Sequence, residues 1–220
     1  SDVCSSDLRI TTVTISEQQF NYAREKIRAA KLEKLIDIRI ADYRTLEGKF
    51  DKIVSIEMAE AIGFRYFDTY FGKCAELLKE DGLLVLQYIT YPESRFEEYL
   101  KNTDFTQIYI FPGSCLISNL EVMKSVHRTS DLMLTDVETI GQHYATTLRQ
   151  WRQNVEKKRK EIIAMGYSET FLRKWVYYLA FCEAGFAARV INDVQVVFSR
   201  AHARVHGDFH GAREPYLDAL

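Results

Sequence analysis

Two carboxylates, Glu57 and Glu60, close the apolar run in residues 50–63 (FDKIVSIEMAEAIG), and one amide, Gln87, interrupts a second run at residues 83–89 (LLVLQYI). In an open parallel sheet, ligands sit beyond the carboxyl ends of the strands, so acids placed there face a site rather than a core. A buried amide must be hydrogen-bonded, or it costs about 1–3 kcal/mol. Gln87 therefore either satisfies a loop backbone or faces the same site as Glu60. The acids also suit the start of a helix, whose dipole favours negative charge there. Position alone leaves both readings open.

The elements that must position these groups follow from periodicity. Residues 9–15 (RITTVTI) are β-branched and predict a strand. Ser16-Glu17-Gln18-Gln19 is a capping-box pattern opening a helix to about residue 32, with Phe20, Ala23, Ile27 and Ala30 on one face. A strand is predicted at 36–40, ending at Asp42-Tyr43, and another at 52–58. A helix over 66–79 buries Phe67, Tyr70, Phe71, Cys74 and Leu77. The Asp81-Gly82 turn leads into the 83–89 strand. Residues 92–103 are polar and helical in part, and residues 109–113 (YIFPG) mark a turn. Further expectations are a helix at 118–130, a strand at 132–140 and one long helix at 143–165 with Tyr144, Leu148, Trp151, Val155 and Ile162 on one face. Gly166 ends that helix. Ser168 opens another, with a stripe of Phe171, Trp175, Leu179, Cys182, Phe186 and Val190. A last strand covers 194–198. Alternating strands and helices argue an α/β fold with a mostly parallel sheet.

Composition narrows the function classes. The 220 residues, 47% hydrophobic, fit one globular domain with a sizeable core. A net charge of −2 offers no basic surface for nucleic acid. No apolar run approaches the ~20 residues of a membrane span. The four cysteines, at 4, 74, 115 and 182, are widely spaced, so no metal site is expected and a reducing cytoplasmic setting is the simplest reading. Thirteen Tyr, thirteen Phe and two Trp are core material first; they also suit a pocket for a long apolar ligand or for a cation held by aromatic faces. Residues 1–8 (SDVCSSDL) are small, polar and aperiodic, and read as a non-native leader. Residues 201–220 read as a polar tail, whose three irregularly spaced histidines suggest solvation rather than metal binding.

Several segments together resemble the cyclopropane-fatty-acid synthase family of S-adenosylmethionine-dependent methyltransferases, which includes the mycolic acid cyclopropane synthases. They are VTISEQQ (13–19), ADYRTLEGKFDKIVSIEMAEAIG (41–63), YFDTYF (66–71), LLKEDGLLVLQYIT (77–90), YIFPGSCLIS (109–118), GQHYATTLRQW (141–151), RKWVYYLAFCEAGFAAR (173–189) and VQVVFSR (194–200). The resemblance implies a class I methyltransferase fold, a Rossmann-like doubly wound sheet. Residues 9–200 are then the C-terminal portion of the methyltransferase domain, without the first strand and its glycine-rich loop. The implied activity is methyl transfer from S-adenosylmethionine to the double bond of an unsaturated phospholipid acyl chain, giving a cyclopropane or a methylene-branched chain, on a cytoplasmic protein in peripheral contact with the inner membrane surface. A methyltransferase of this fold acting on another small hydrophobic acceptor, or a non-catalytic domain binding lipid or a partner, are the other readings.

By resemblance, Thr14, Ile15, Ser16 and Gln19 hold the ribose and methionine end of the cofactor, and Asp42 and Tyr43 lie beside its adenine. Glu60, Tyr144 and the backbone of Ile89 match groups that hold a bicarbonate ion, the base of the reaction. Cys182 matches an active-site cysteine; its place in an apolar stripe suggests that it lines the pocket rather than attacks. Gln87 stands where many members carry histidine. Glutamine hydrogen-bonds an anion but cannot become cationic, which weakens the case for bicarbonate. Ala61 likewise replaces a histidine of many members, and the pattern points to a divergent subgroup whose product could be methylene-branched.

Overall fold

A computed structural model describes residues 8–201 and 203. The expected leader, apart from Leu8, and the expected tail, apart from Ala201 and Ala203, lie outside the described residues. The chain divides into two compact units, Ser1–Gly48 and Lys49–Leu220.

In the first unit, β1 (Ile10–Thr14) and β2 (Ile36–Ile40) pair in parallel, Ile10 opposite Ile36 and Thr14 opposite Ile40. A parallel pair needs a crossover, here α1 (Glu17–Ala29). Ser16 caps α1 by accepting the Gln19 N–H, while Lys26 and Arg28 stand near its negative end. None of the described residues of this unit is buried.

The second unit runs β3 (Phe50–Ile56), α2 (Phe67–Leu77), β4 (Leu78–Thr90), α3 (Phe96–Tyr99), α4 (Phe105–Tyr109), α5 (Asn119–Thr129), β5 (Leu132–Thr139), α6 (Gly141–Lys157), α7 (Arg159–Ala164), α8 (Glu169–Ala187) and β6 (Asn192–Arg200). Its strands form one sheet in the order β3-β4-β6-β5. β3 and β4 are parallel, and β6 is antiparallel to both of its neighbours. The mostly parallel arrangement expected from alternation thus holds for β1–β2 and β3–β4 only. Apolar runs signal burial between layers, but they carry no strand direction.

Alternation along the strands assigns the two faces. Leu84, Leu86 and Tyr88 share one face with Val194, Val196 and Phe198, and all six are buried. Each such side chain contributes about 1.5–3 kcal/mol. α2 packs on this face, the ring of Phe71 meeting Phe198 at 6.4 Å. α5 locks onto α2 where Asp68 accepts from Ser125 at 2.7 Å and from Arg128. The opposite face carries Gln87, Ile89, Asp193 and Gln195, which pair directly across β4 and β6.

Three elements differ from expectation. The Asp81-Gly82 turn is instead part of an extended β4, whose register slips between Phe50 opposite Leu78 and Lys52 opposite Leu83. A Cβ on Gly82 would lie 2.6 Å from the Leu78 side chain, so the slip needs a glycine. The single helix expected over 143–165 breaks at Lys158. Residues 157–160 are four consecutive cations without an apolar anchor, a run that opposes continuous winding. α4 was not expected at all. Its signal is Asp104-Phe-Thr-Gln107, whose two side chains form a reciprocal capping box.

Candidate active site

The site of the second unit forms where β3 stops. Glu57, the first residue past β3, has φ +50°, a left-handed conformation unusual for a side chain of this kind. Its N–H still donates to the Gln87 carbonyl at 2.8 Å, so the turn begins only after the last rung of the ladder. The next free donor on β4 is the Ile89 N–H, which donates to Glu60 Oε1 at 2.6 Å. A side-chain carboxylate thus takes over from the strand that has turned away. Glu60 is fixed in turn by its carbonyl, which accepts from the Cys115 N–H at 2.8 Å. Its second oxygen, Oε2, is buried without a hydrogen-bond partner. Burial raises the Glu60 pKa above the ordinary carboxylate range, opposed by the Ile89 N–H.

Gln87 is the hub. Its Nε2 lies 2.9 Å from Glu57 Oε1, 3.0 Å from Asp193 Oδ2 and 3.2 Å from the Tyr144 hydroxyl. Its Oε1 accepts from Gln195 Nε2 at 2.9 Å, which orients the amide. Tyr144, on α6, also donates to Glu57. Burial first, then the Glu57 carboxylate, raises the Tyr144 pKa and keeps the phenol protonated. Asp193 is 0% exposed, and its Oδ1 has no partner. Burial, then the charges of Glu57 and Glu60, lift its pKa to about 7.

Aromatic rings border these acids. Tyr144 stacks on Phe186 with centroids 5.0 Å apart. Ile89, Tyr144, Trp175, Tyr178 and Cys182 pack against the buried Ala145, Leu148, Leu179 and Phe186 between α6 and α8. The Cys182 thiol is pushed up to about 12 by burial, so it is neutral at ordinary pH and a poor nucleophile. Carboxyl groups beside aromatic faces, with no ionised thiol, are an arrangement that can stabilise a cation and accept a proton.

The structure brings Glu60, Gln87, Ile89, Tyr144 and Cys182 into the second unit, with Gln87 bonded to Glu57 and Tyr144 and Glu60 to Ile89. The other six expected residues lie in the first unit, at the carboxyl ends of its two parallel strands. After β1, the Thr14 hydroxyl donates to Gln19 Oε1 at 2.7 Å and accepts the Ser16 N–H at 3.1 Å, with Ile15 exposed beside them. After β2, Asp42 accepts from the N–H and guanidinium of Arg44, which hold its carboxyl down to about 2. Tyr43 begins the short turn that follows. Hydroxyls, an amide and an ionised carboxylate at strand ends fit a ligand with a polar sugar and a nucleobase.

The sequence profile of the family described as mycolic acid cyclopropane synthetase matches residues 2–196. The chain belongs to this family. It is 34% identical over 186 residues to the tuberculostearic acid methyltransferase UfaA1 of Mycobacterium tuberculosis, covering 84% of this chain and 44% of that protein. It is 35% identical over 195 residues to the cyclopropane-fatty-acyl-phospholipid synthase of Escherichia coli, covering 88% and 48%. The chain spans about half the length of these curated relatives. Among solved structures, the mycolic acid cyclopropane synthase CmaA1, complexed with SAH and CTAB, superposes with a TM-score of 0.79 at 25% identity, covering 88% of this chain and 70% of that one. The cyclopropane synthase MmaA2 from Mycobacterium tuberculosis reaches the same TM-score at 23% identity. The fold is that of the class I methyltransferases.

In this member of the family, two residues escaped sequence reasoning. Asp193 and Gln195 sit in NDVQVVF, where an acid at the start of an apolar strand passes for loop boundary. Their signal is register: antiparallel pairing sets Gln195 opposite Gln87 and Asp193 opposite Ile89. Sequence spacing of 106 residues hides it.

Proposed function

We propose that the protein methylates an unsaturated acyl chain of a phospholipid at carbon, giving a cyclopropane or a methylene-branched product. The observation that carries this reading is a group of three carboxyls, with Glu57 and Asp193 bonded to Gln87, Glu57 also to Tyr144, and Glu60 to the Ile89 N–H, beside the aromatic wall of α6 and α8. S-adenosylmethionine, when bound, supplies the methyl group on a sulfonium. Thr14, Ile15, Ser16, Gln19, Asp42 and Tyr43 are the residues that would hold it. An alkene that accepts a methyl cation becomes a carbocation, and such a species needs dry surroundings, anionic or aromatic stabilisation and a base. Family membership supports the reaction type, and the similar E. coli and M. tuberculosis proteins are named for fatty-acyl phospholipid and tuberculostearic acid.

Among the described residues no helix is long and apolar enough to cross a membrane. On this reading the acyl chain is met at a membrane surface, and exposed apolar groups support it. Ile108, Tyr109, Tyr177 and Phe181 are exposed on α4 and α8, which meet where Phe105 packs on Tyr177. Lys174 stands over the Tyr109 ring at 4.2 Å, a cation suited to anionic lipid. The test is incubation of the protein, expressed from its complete gene, with S-adenosylmethionine and vesicles of oleoyl phosphatidylglycerol. Gas chromatography–mass spectrometry of the acyl esters should show the gain of one CH2 and tell a ring from a branch. Unmodified acyl chains alongside turnover on a non-lipid acceptor would refute the substrate class.

A further inference from the structure

We propose that a cavity beside the Glu60 loop binds the phosphate of the lipid substrate, with Arg65 as its cation. The inference rests on the acyl-methylation reading above and names the part of the lipid that this cavity grips.

The cavity measures about 440 Å³, within the roughly 300–1,000 Å³ of ordinary ligand sites. Its wall is braced by hydrogen bonds. Gln107 Nε2 donates to the Ser114 carbonyl at 2.9 Å, and the Leu116 N–H donates to the Tyr99 hydroxyl at 2.9 Å. These bonds tie α3 and α4 to the segment that follows them.

The side chains left over define the ligand. Arg65, Tyr66, Thr103 and Ser114 line the cavity, and their guanidinium and hydroxyl groups have no partner among the described residues. Among those residues no Asp or Glu lines it. One cation and three hydroxyls, with no acid beside them, select an anion that offers several acceptor oxygens. A guanidinium meets two oxygens of a phosphate at once. Phe64 and Leu100 line the same space, and they suit the carbon skeleton of a phosphodiester better than a bare inorganic ion.

The place of the cavity fits a lipid. α4 contributes to it through Gln107, while Ile108 and Tyr109 of the same helix are exposed on the face assigned above to the membrane. Cys115 also lines it, and the Cys115 N–H donates to the Glu60 carbonyl at 2.8 Å. The cavity thus adjoins both the membrane-facing rings and the Glu60 loop. Gly63, another lining residue, follows Glu60 by three residues, a span of at most roughly 11 Å. In a bilayer the middle of an acyl chain lies roughly 8 Å below its ester, half the depth of one hydrocarbon leaflet. A phosphate held here is on the right scale to set a mid-chain double bond near Glu60.

The experiment uses the protein from its complete gene, with S-adenosylmethionine and neutral detergent micelles. The micelles carry either oleoyl phosphatidylglycerol or oleoyl diacylglycerol, which has the same chains and no phosphate. Neutral micelles remove the surface charge, so the comparison reads the head group itself. Wild-type kcat/KM should be about tenfold higher for phosphatidylglycerol. Arg65→Gln should bring that ratio close to one, and Arg65→Lys, which keeps the charge without the fork, should fall between. A variant that folds poorly loses turnover on both lipids alike, so the ratio still reads its folded fraction. Glycerophosphoglycerol, the head group without chains, should compete with phosphatidylglycerol at concentrations about tenfold below those at which sodium phosphate does. Sodium phosphate competing as well as the head group would make this a site for free phosphate and overturn the lipid assignment. Equal kcat/KM for the two lipids in the wild type, or a wild-type ratio in Arg65→Gln, would overturn the proposal while leaving acyl methylation standing. No methylated product from either lipid would remove the acyl-methylation reading, and this one with it.

Discussion

Replacing Asp193 by asparagine should stabilise the fold at alkaline pH, by an amount the structure sets. The folded-state pKa rises from an ordinary 3.8 to about 7. Three units at about 1.4 kcal/mol each give an upper bound of about 4 kcal/mol for keeping the group ionised. The Gln87 amide still solvates one oxygen and Glu57 opens the cluster to water, so about half, roughly 2 kcal/mol, is the expected effect. The sign follows from linkage. A folded pKa raised above the unfolded one gives stability that is present below the unfolded value and lost as pH climbs through the folded value. The wild type therefore weakens between pH 3.8 and about 7, and the asparagine variant lacks that contribution. The assay is thermal unfolding of both proteins, followed by circular dichroism across that range and above it. At about 2–4 °C per kcal/mol for a chain of this size, the variant should melt roughly 4–8 °C higher above neutrality, and the gap should close in acid. Equal melting temperatures at alkaline pH, or a gap that ignores pH, would refute the placing of a buried, ionisable carboxyl at this position.

Three further predictions rest on other contacts. Glu60→Gln in the complete enzyme should lower turnover about 100-fold with little change in cofactor affinity, measured by single-turnover kinetics and calorimetry, because it removes charge from the site while leaving the strand ends of the first unit untouched. Cys182, with its pKa near 12 against an ordinary 9.0, should react with iodoacetamide about a thousandfold more slowly than a free thiol, as mass spectrometry of timed digests will show. Arg200→Met should cost about 2–3 kcal/mol in urea unfolding, since the guanidinium accounts for the carbonyls of Ala75, Leu78 and Lys79 and pairs with Asp131.

Much of this architecture is written in local pattern. The strand at 36–40, the Ser16, Ser118 and Ser168 caps and the Gly166 stop follow from short-range chemistry that needs no partner. Glu57 and Gln87 were visible as polar groups at the end of, or within, apolar runs. What escaped was pairing across distance. Nothing local joins Gln87 to Asp193 or decides that β6 runs antiparallel, because both depend on where a strand more than a hundred residues later docks. The slip at Gly82 was hidden for a related reason. Asp-Gly is a strong turn signal, and only the neighbouring β3 register turns it into a bulge.

The absence of buried side chains among the described residues of the first unit has a thermodynamic consequence. With little apolar area removed from water, α1 and the β1–β2 pair should open far more often than the β4–β6 core, and their amides should exchange with deuterium long before those of Leu86 or Val196. A ligand gripping Thr14, Gln19 and Asp42 would have to order these segments as it binds. Its measured affinity would then fall short of what its contacts alone provide, and much of the slowing of exchange on saturation would fall within residues 10–45.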